Sequence, residues 1–298
     1  MKSSLAPVMI LVAAILWGTA GTAKTYLPEN VDSLSIGAMR LIVGSLILIA
    51  IALLMGQFKI KGWPWRMVFA AGVAMALFQP FFFNAVTLTG VAVGTVASIG
   101  SAPVFSGLIE WLFFKLQPDR VWWISTILAI IGCALLMFNT GSITVDPLGI
   151  LSGLGAGMTF ASYTILNSRM VRHHPPIATT AIVFTISALL LTPFLLLNDP
   201  SWLMTSGGIS VSLYIGLFAT GLAYFLFASG LKHVKSSSAV TLSLAEPLTA
   251  SMLGVLFVGE VLALWSWAGL IMLLAGLVLL AMQSRGRSKA VSPQNSFR

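Results

Sequence analysis

Four ionisable side chains interrupt otherwise apolar stretches of this sequence: Lys24, Arg40, Glu110 and Glu246. A charge at the centre of a membrane helix costs roughly 2.5–3.5 kcal/mol on insertion scales, so one that is kept there needs a partner, water or a ligand. At a helical rise of about 1.5 Å per residue, depth separates the four. Lys24 lies about 5 Å from the end of its run and reaches water by extending its side chain. Glu110 lies about 7 Å from the end of its own run and is expected to meet Lys115. Arg40 and Glu246, about 12 Å and 15 Å deep, approach the midplane. A guanidinium fork and a carboxylate at that depth suit a zwitterion, the fork taking its carboxylate and the acid accepting from its ammonium. They equally suit an ion pair with each other that merely holds the bundle together. Glu246 is also the candidate for carrying a coupled proton.

Residues four apart share a helix face. Glu246 falls on a row with Ser238, Ala250 and Gly254, small residues of the kind that let helices approach closely, so it is expected to face protein or cavity rather than lipid. Pro247 removes a backbone donor and is expected to leave the carbonyl of Ser243 unpaired, a local break where a polar ligand can bind. Pro80, Pro103 and Pro193 join it as expected kinks or hinges. Trp17 lies in mid-span, where it either walls a cavity or packs against neighbouring helices. Gly149, Gly153 and Gly157 form a further small-residue row, read as helix packing.

The solvent these residues meet is set by composition. Of 298 residues, 58% are apolar and 8% charged, and the mean hydropathy is +0.98. Soluble domains carry about 25% charge. The formal net charge of +8 is scattered in ones and twos rather than gathered on one face, which argues against nucleic acid as a partner. The single cysteine, Cys133, forms no intrachain disulfide. Apolar runs of about 20 residues predict ten membrane spans: 5–27, 32–55, 65–88, 91–114, 120–138, 147–168, 177–197, 207–230, 236–258 and 261–282. The joints at Thr89-Gly90 and Gly259-Glu260 are tight. The first run has full spanning length and is read as a retained span rather than a cleaved leader.

With both termini in the cytoplasm, 14 of the 16 Lys and Arg residues fall on the inner side, while the outer loops carry Glu29, Asp32, Asp146, Asp199 and Glu260. Trp63, Trp65, Trp122, Trp123, Trp202, Trp265 and Trp267 lie near span ends, as expected of interfacial anchors. A shift of 144 aligns residues 81–138 with 225–282 without a gap, and 11 of the 58 pairs are identical, among them Pro103 with Pro247, Trp123 with Trp267 and Gly132 with Gly276. Five spans per half is an odd number, so the second half enters the membrane from the opposite side. The expected fold is all-α and integral to the membrane, ten helices in a 5+5 inverted-topology repeat. The halves are 1–140 and 141–284, and 285–298 is a basic tail expected to lack order.

Trp17-Gly18-Thr19, Ala38-Met39-Arg40-Leu41, Pro103, Glu246-Pro247 followed by Gly259-Glu260, and the glycine-rich tenth span occur in an order that resembles the drug/metabolite transporter superfamily, EamA-like type. The resemblance covers the chain up to about Gln283. It implies secondary transport across the inner membrane, most often export of amino acids or related metabolites, driven by exchange or by protons. It also implies that spans three, six and eight help line a central cavity, which adds Gln79, Asn84, Tyr163, Asn167 and Tyr224 to Trp17, Arg40 and Glu246 as substrate-binding candidates. Interhelical hydrogen bonding is the other reading of those five. One departure from repeat symmetry stands out, because Ala102 occupies the position equivalent to Glu246.

Other chemistries fit poorly. Gly153-Leu154-Gly155 lies inside an apolar span with no preceding strand, so it is no dinucleotide loop. His173, His174 and His233 lack metal spacing and are expected to be solvated. No serine or cysteine has a base at readable spacing, and an enzyme, a cofactor or a metal site is not expected. The partners expected are a small solute, the lipid bilayer and possible protons, with the chain as monomer or homodimer. A carrier leads; a passive pore, an importer of the same fold, and a receptor or scaffold with structural charges stay open.

Overall fold

The computed structural model describes residues 5–24, 26–28, 31–58, 62–137, 146–258 and 263–290, without the side chains of 91, 92, 137, 258 and 284–290. Among them, nine helices are long and apolar enough to cross a membrane. In chain order they are spans 1 (Ala6–Lys24), 2 (Ser33–Leu54), 3 (Trp65–Gly90), 4 (Val93–Phe114), 6 (Pro147–Met170), 7 (Pro176–Leu197), 8 (Ser206–Leu231), 9 (Ser236–Phe257) and 10 (Leu264–Gln283). Span 5 (Arg120–Met137) is apolar and slightly shorter. The ten expected spans are therefore present, each within a few residues. Glu29, Glu260 and the Gly259-Glu260 joint lie outside the described residues, as do Lys2, Lys59, Lys61 and Arg298. The helix of span 10 runs on to Ala290, into the stretch expected as a tail.

Local chemistry explains where these helices begin. The first N–H groups of a helix lack intrahelical acceptors and take them from short polar side chains. Asp32 accepts from Ser35 N at the start of span 2, Asp146 from Leu148 N at span 6, and Thr205 from Gly208 N at span 8. The Asp199 carboxylate accepts from both the backbone N–H and the hydroxyl of Ser201, which holds its pKa below the usual carboxylate range. Asp32, Asp146 and Asp199, three of the acids expected on one side of the membrane, thus double as helix caps. Spans 3 and 4 are joined at Gly90, whose φ of 80° breaks the helix in a conformation that suits glycine.

The tryptophans divide. Trp65, Trp123, Trp265 and Trp267 are exposed, as anchors should be, whereas Trp63, Trp122 and Trp202 are buried. Trp63 stacks on the ring of His174 at 4.2 Å, so this buried tryptophan is not the exposed anchor expected of it, while His174 stays partly exposed. Trp122 fills the space beside Gly107.

Helices in lipid associate through close packing rather than through a hydrophobic driving force, and glycines mark the crossings. These crossings carry the repeat. A Cβ at Gly132 in span 5 would lie 2.6 Å from Gly269 O and 2.5 Å from Leu273 N in span 10; one at Gly276 in span 10 would lie 2.7 Å from Ser125 O and 3.1 Å from Ala129 N in span 5. Gly132 and Gly276 are 144 apart, and so are their partners. Likewise Gly72 of span 3 packs on Ile186 of span 7, and Gly216 of span 8, again 144 further on, packs on Val43 of span 2. Contacts that repeat between opposed helices at an offset of 144, or of 143 for Val43 and Ile186, indicate a pseudo-twofold axis in the membrane plane. Span 6 lies between spans 3 and 4, with Gly149 against Thr89 and Gly157 against Ser98 and Ala102, just as span 1 lies between spans 8 and 9, with Gly230 against Ile10 and Gly18 against Glu246 and Ala250.

Filling either member of the central crossing should separate spans 5 and 10. Gly132→Val and Gly276→Val are each expected to lose about 1–3 kcal/mol of stability, read as a lower unfolding temperature in detergent. Gly21→Ala, whose added Cβ would meet nothing within 4 Å, is expected to leave it unchanged.

Candidate functional site

The spans surround a cavity of about 410 Å³ lined from both halves of the chain. Its mouth lies at the face opposite the N-terminus of span 1, where Lys24 Nζ donates to Ser33 Oγ at 2.8 Å. Arg40 on span 2 and Glu246 on span 9 line its interior. No hydrogen bond or ion pair among the described residues joins these two, and Arg40 Nε has no partner. The structural ion pair held open by the sequence is therefore not formed in this state.

Each charge is placed by a distinct local device. On span 2, Gly37 lies one turn from Arg40 and lets span 2 pack directly on span 3, since a Cβ there would lie 2.9 Å from Gln79 Oε1 and 3.3 Å from the Phe83 ring. Span 9 is not a continuous helix at Glu246: regular α-helix ends at Leu242 and resumes at Ala245. The sequence expectation of an unpaired Ser243 carbonyl is corrected here. Glu246 N donates to Ser243 O at 2.9 Å and Leu244 N to Thr241 O at 3.1 Å, so the turn tightens to i→i−3 bonding instead of leaving an orphan. Gly18 then lets span 1 approach the break, since a Cβ there would lie 2.7 Å from Glu246 O.

The structure brings together Trp17, Arg40, Gln79, Tyr224 and Glu246 on the cavity wall. It places the other candidates elsewhere. Asn84 Nδ2 donates to Ser152 Oγ at 2.8 Å, a bond between spans 3 and 6. Tyr163 and Asn167 are fully buried, with Asn167 Nδ2 donating to Tyr163 Oη at 3.1 Å. Trp17 meets both of its sequence readings, lining the cavity while its ring packs 4.6 Å from Tyr224 and 5.1 Å from Phe227. With Phe160, Tyr163 and Phe184 these rings form an aromatic floor.

Among the hinge candidates, Pro80 and Pro193 lie inside spans 3 and 7. Pro103 follows a π-helical segment, Val96–Gly100, and Pro247 follows the break at Ser243 and Leu244. These two distortions are equivalent under the 144-residue shift.

Phe78, Phe82, Phe83 and Phe160 also line the cavity, and sequence reasoning missed them. In a helix that is apolar all round, hydrophobicity does not reveal which face looks inward. Two buried polar groups add to the wall. Gln79 is 1% exposed and neither amide atom has a protein partner, and Ser98 Oγ is likewise unpartnered. Buried polar groups are normally paired, so Gln79 and Ser98 leave unused hydrogen-bonding capacity at the cavity wall. No group of three or more His, Cys, Asp or Glu residues able to hold a metal occurs among the described residues.

Comparison with known proteins agrees with this architecture. The pattern of the EamA-like transporter family matches residues 4–138 and again 147–282. The chain is 47% identical to "Uncharacterized transporter YwfM" of Bacillus subtilis (strain 168), over 97% of this chain and 98% of that protein. It is 32% identical to "Threonine/homoserine exporter RhtA" of Escherichia coli (strain K12), over 86% of this chain and 84% of that protein. A solved crystal structure that is 19% identical superimposes with a TM-score of 0.82, covering 95% of this chain and 99% of the other, and shows the same fold. With a family match in each half and a relative of this identity along nearly the whole chain, the protein belongs to the EamA-like transporter family of the drug/metabolite transporter superfamily, as a multi-pass transporter of the bacterial inner membrane.

Proposed function

We propose that this transporter exports amino acids or closely related zwitterions by alternating access, binding them between Arg40 and Glu246. The observation that carries the reading is a single cavity in which an unpaired guanidinium from the first half and a carboxylate from the second face the same aromatic-walled space. A substrate carboxylate takes the guanidinium fork and its ammonium donates to Glu246. The volume falls within the roughly 300–1,000 Å³ of small-molecule sites. The aromatic walls suit the substrate's apolar stem, and Gln79 and Ser98 offer hydrogen bonds to a polar side chain. The naming of RhtA as a threonine/homoserine exporter supports this choice of class. With the N-terminal face in the cytoplasm, the cavity is open to the outside, the state in which an exporter releases its substrate.

Proton coupling is a second reading of Glu246, because a carboxylate that meets the substrate ammonium can exchange it for a proton as the cavity reorients. In proteoliposomes, Glu246→Gln is expected to abolish pH-driven accumulation, and full retention of coupling would sink that role. Arg40→Ala is expected to lose a charge-assisted contact of about 1.5–3 kcal/mol, which is roughly a 10- to 150-fold rise in KM for a zwitterion. Counterflow separates carrier from pore, since labelled amino acid accumulates against an excess of unlabelled amino acid inside only if the protein alternates. A strain lacking the gene is expected to become hypersensitive to the exported amino acid or its toxic analogue.

Gln79 and Asn84 should part company in the same assays. Gln79→Leu removes a buried amide that has no protein partner, so the empty protein is expected to hold or gain stability while KM for a side-chain-polar substrate rises. Asn84→Leu removes an interhelical bond and is expected to lose about 0.6 kcal/mol with KM unchanged. Unfolding temperature and transport kinetics on the same preparations distinguish the two.

A further inference from the structure

The other buried carboxylate, Glu110, takes no part in the cavity. It was expected near Lys115, but Lys115 ends span 4 in a left-handed conformation and the Glu110 side chain turns into the protein, where it is 4% exposed. One carboxylate oxygen accepts from Ser236 N at 2.9 Å and the other from Ser237 Oγ at 2.6 Å. The physical reason lies at the start of span 9. Lys235 supplies no side-chain cap there, so the first-turn N–H of Ser236 finds its acceptor on another helix.

These bonds tie the first half to the second at the N-terminal face, beneath the aromatic floor. Ser236 Oγ continues the tie to Ser168 Oγ of span 6 at 2.9 Å, and Thr126 of span 5 meets Thr241 of span 9 at 2.9 Å. The 144-residue shift provides no counterpart of this carboxylate latch. The position 144 residues beyond Glu110 is Gly254, and the positions 144 before Ser236 and Ser237 are Ala92 and Val93, with neither carboxylate nor hydroxyl. Among the described residues the two halves are joined, at the end where the cavity opens, by single uncharged bonds, Asn84 to Ser152 and Tyr214 to Thr19, so the carboxylate fastening belongs to one end only.

We infer that Glu110 is the positioning residue of the N-terminal-side gate: its two bonds to Ser236 and Ser237 hold spans 4 and 9 together, and these bonds break and reform each time the cavity changes face. This rests on the alternating-access reading above. Glu110 touches no substrate; it acts through span 9, whose helix break carries Glu246. Releasing the latch removes charge-assisted hydrogen bonds that exist only in the state open to the opposite face, so the population shifts toward the state open at the N-terminal face.

The test reads accessibility rather than transport. In full-length Cys133→Ala protein, reporters are Gly21→Cys at the cavity mouth, and Ala239→Cys, fully buried on span 9 near the latch. A membrane-impermeant maleimide is applied to each face of oriented proteoliposomes. Glu110→Ala is expected to slow labelling at position 21 and speed it at position 239, each by about tenfold, and Ser237→Ala to move both in the same direction by less. Unchanged rates in folded, monodisperse Glu110→Ala overturn the inference. If that variant does not fold, Ser237→Ala, which keeps the bond to Ser236 N, decides alone, and unchanged rates there overturn it as well. Saturating threonine added to the unmodified latch tests the reading beneath. If threonine shifts the reporters but neither latch variant does, only the gate assignment fails; if the latch variants shift them and threonine does not, only the amino-acid assignment fails.

Discussion

Inside a bilayer there is no water to satisfy a backbone N–H or C=O, and the architecture of this transporter follows from that shortage. Helices are the solution over most of the chain, and departures from regular α-helix matter because each must be compensated. Three of these departures border the cavity, namely a π-helical segment at Val96–Gly100 in span 4, another at Ile215–Leu222 in span 8, and the tightened turn at Ser243 and Leu244 in span 9, while a further π-helical segment at Gly254–Val258 lies outside it. The three sit beside lining residues such as Ser98, Ile215 and Glu246. Irregular backbone is tolerated where it borders a polar space, and the polar space exists because the backbone is irregular there.

The same lack of a hydrophobic drive between helices explains the glycines. Close approach must come from small residues, and because the two halves share an ancestral pattern the approaches repeat. Gly132 on Gly269 and Gly276 on Ser125 are one contact made twice, and Gly72 on Ile186 matches Gly216 on Val43 to within one residue. A frame built from duplicated contacts has related arrangements for the two faces, and the proposed alternating access rests on that property. What gives the frame a direction is the set of residues that break the duplication. Glu246 has Ala102 as its equivalent, Glu110 has Gly254, and span 7 carries no basic residue to match Arg40. All three charges are therefore asymmetric, two in the cavity and one in the fastening at the N-terminal face.

Much of this was legible beforehand, for a reason peculiar to membranes. Span length is set by the thickness of the hydrocarbon and leaves a plain mark in composition, so the helices agree to within a few residues. Depth along a helix follows from counting residues, which is why Arg40 and Glu246 could be set apart from Lys24. Rotation about the helix axis is harder to read. Asn84 and Gln79 sit in the same span and differ in role because one meets Ser152 and the other turns to the cavity. Trp63 and Trp65, two residues apart, differ likewise, one stacked on His174 and the other exposed. The phenylalanines of the cavity wall went unseen for the same cause, since every face of an apolar span looks alike in sequence.

The sequence by itself determined the membrane class, the ten spans, the inverted repeat and the depth of each buried charge, because these depend on hydropathy, length and position along the chain. Tertiary structure alone decided who meets whom. It parted Arg40 from Glu246 across an open cavity, and it removed Tyr163 and Asn167 to the packed layer below. It also carried Glu110 past Lys115 to the first turn of a helix more than a hundred residues away. The physical reason is that a buried polar group is satisfied by whichever partner packing brings within about 3 Å, and that proximity is a property of helix rotation and crossing, which no local pattern records.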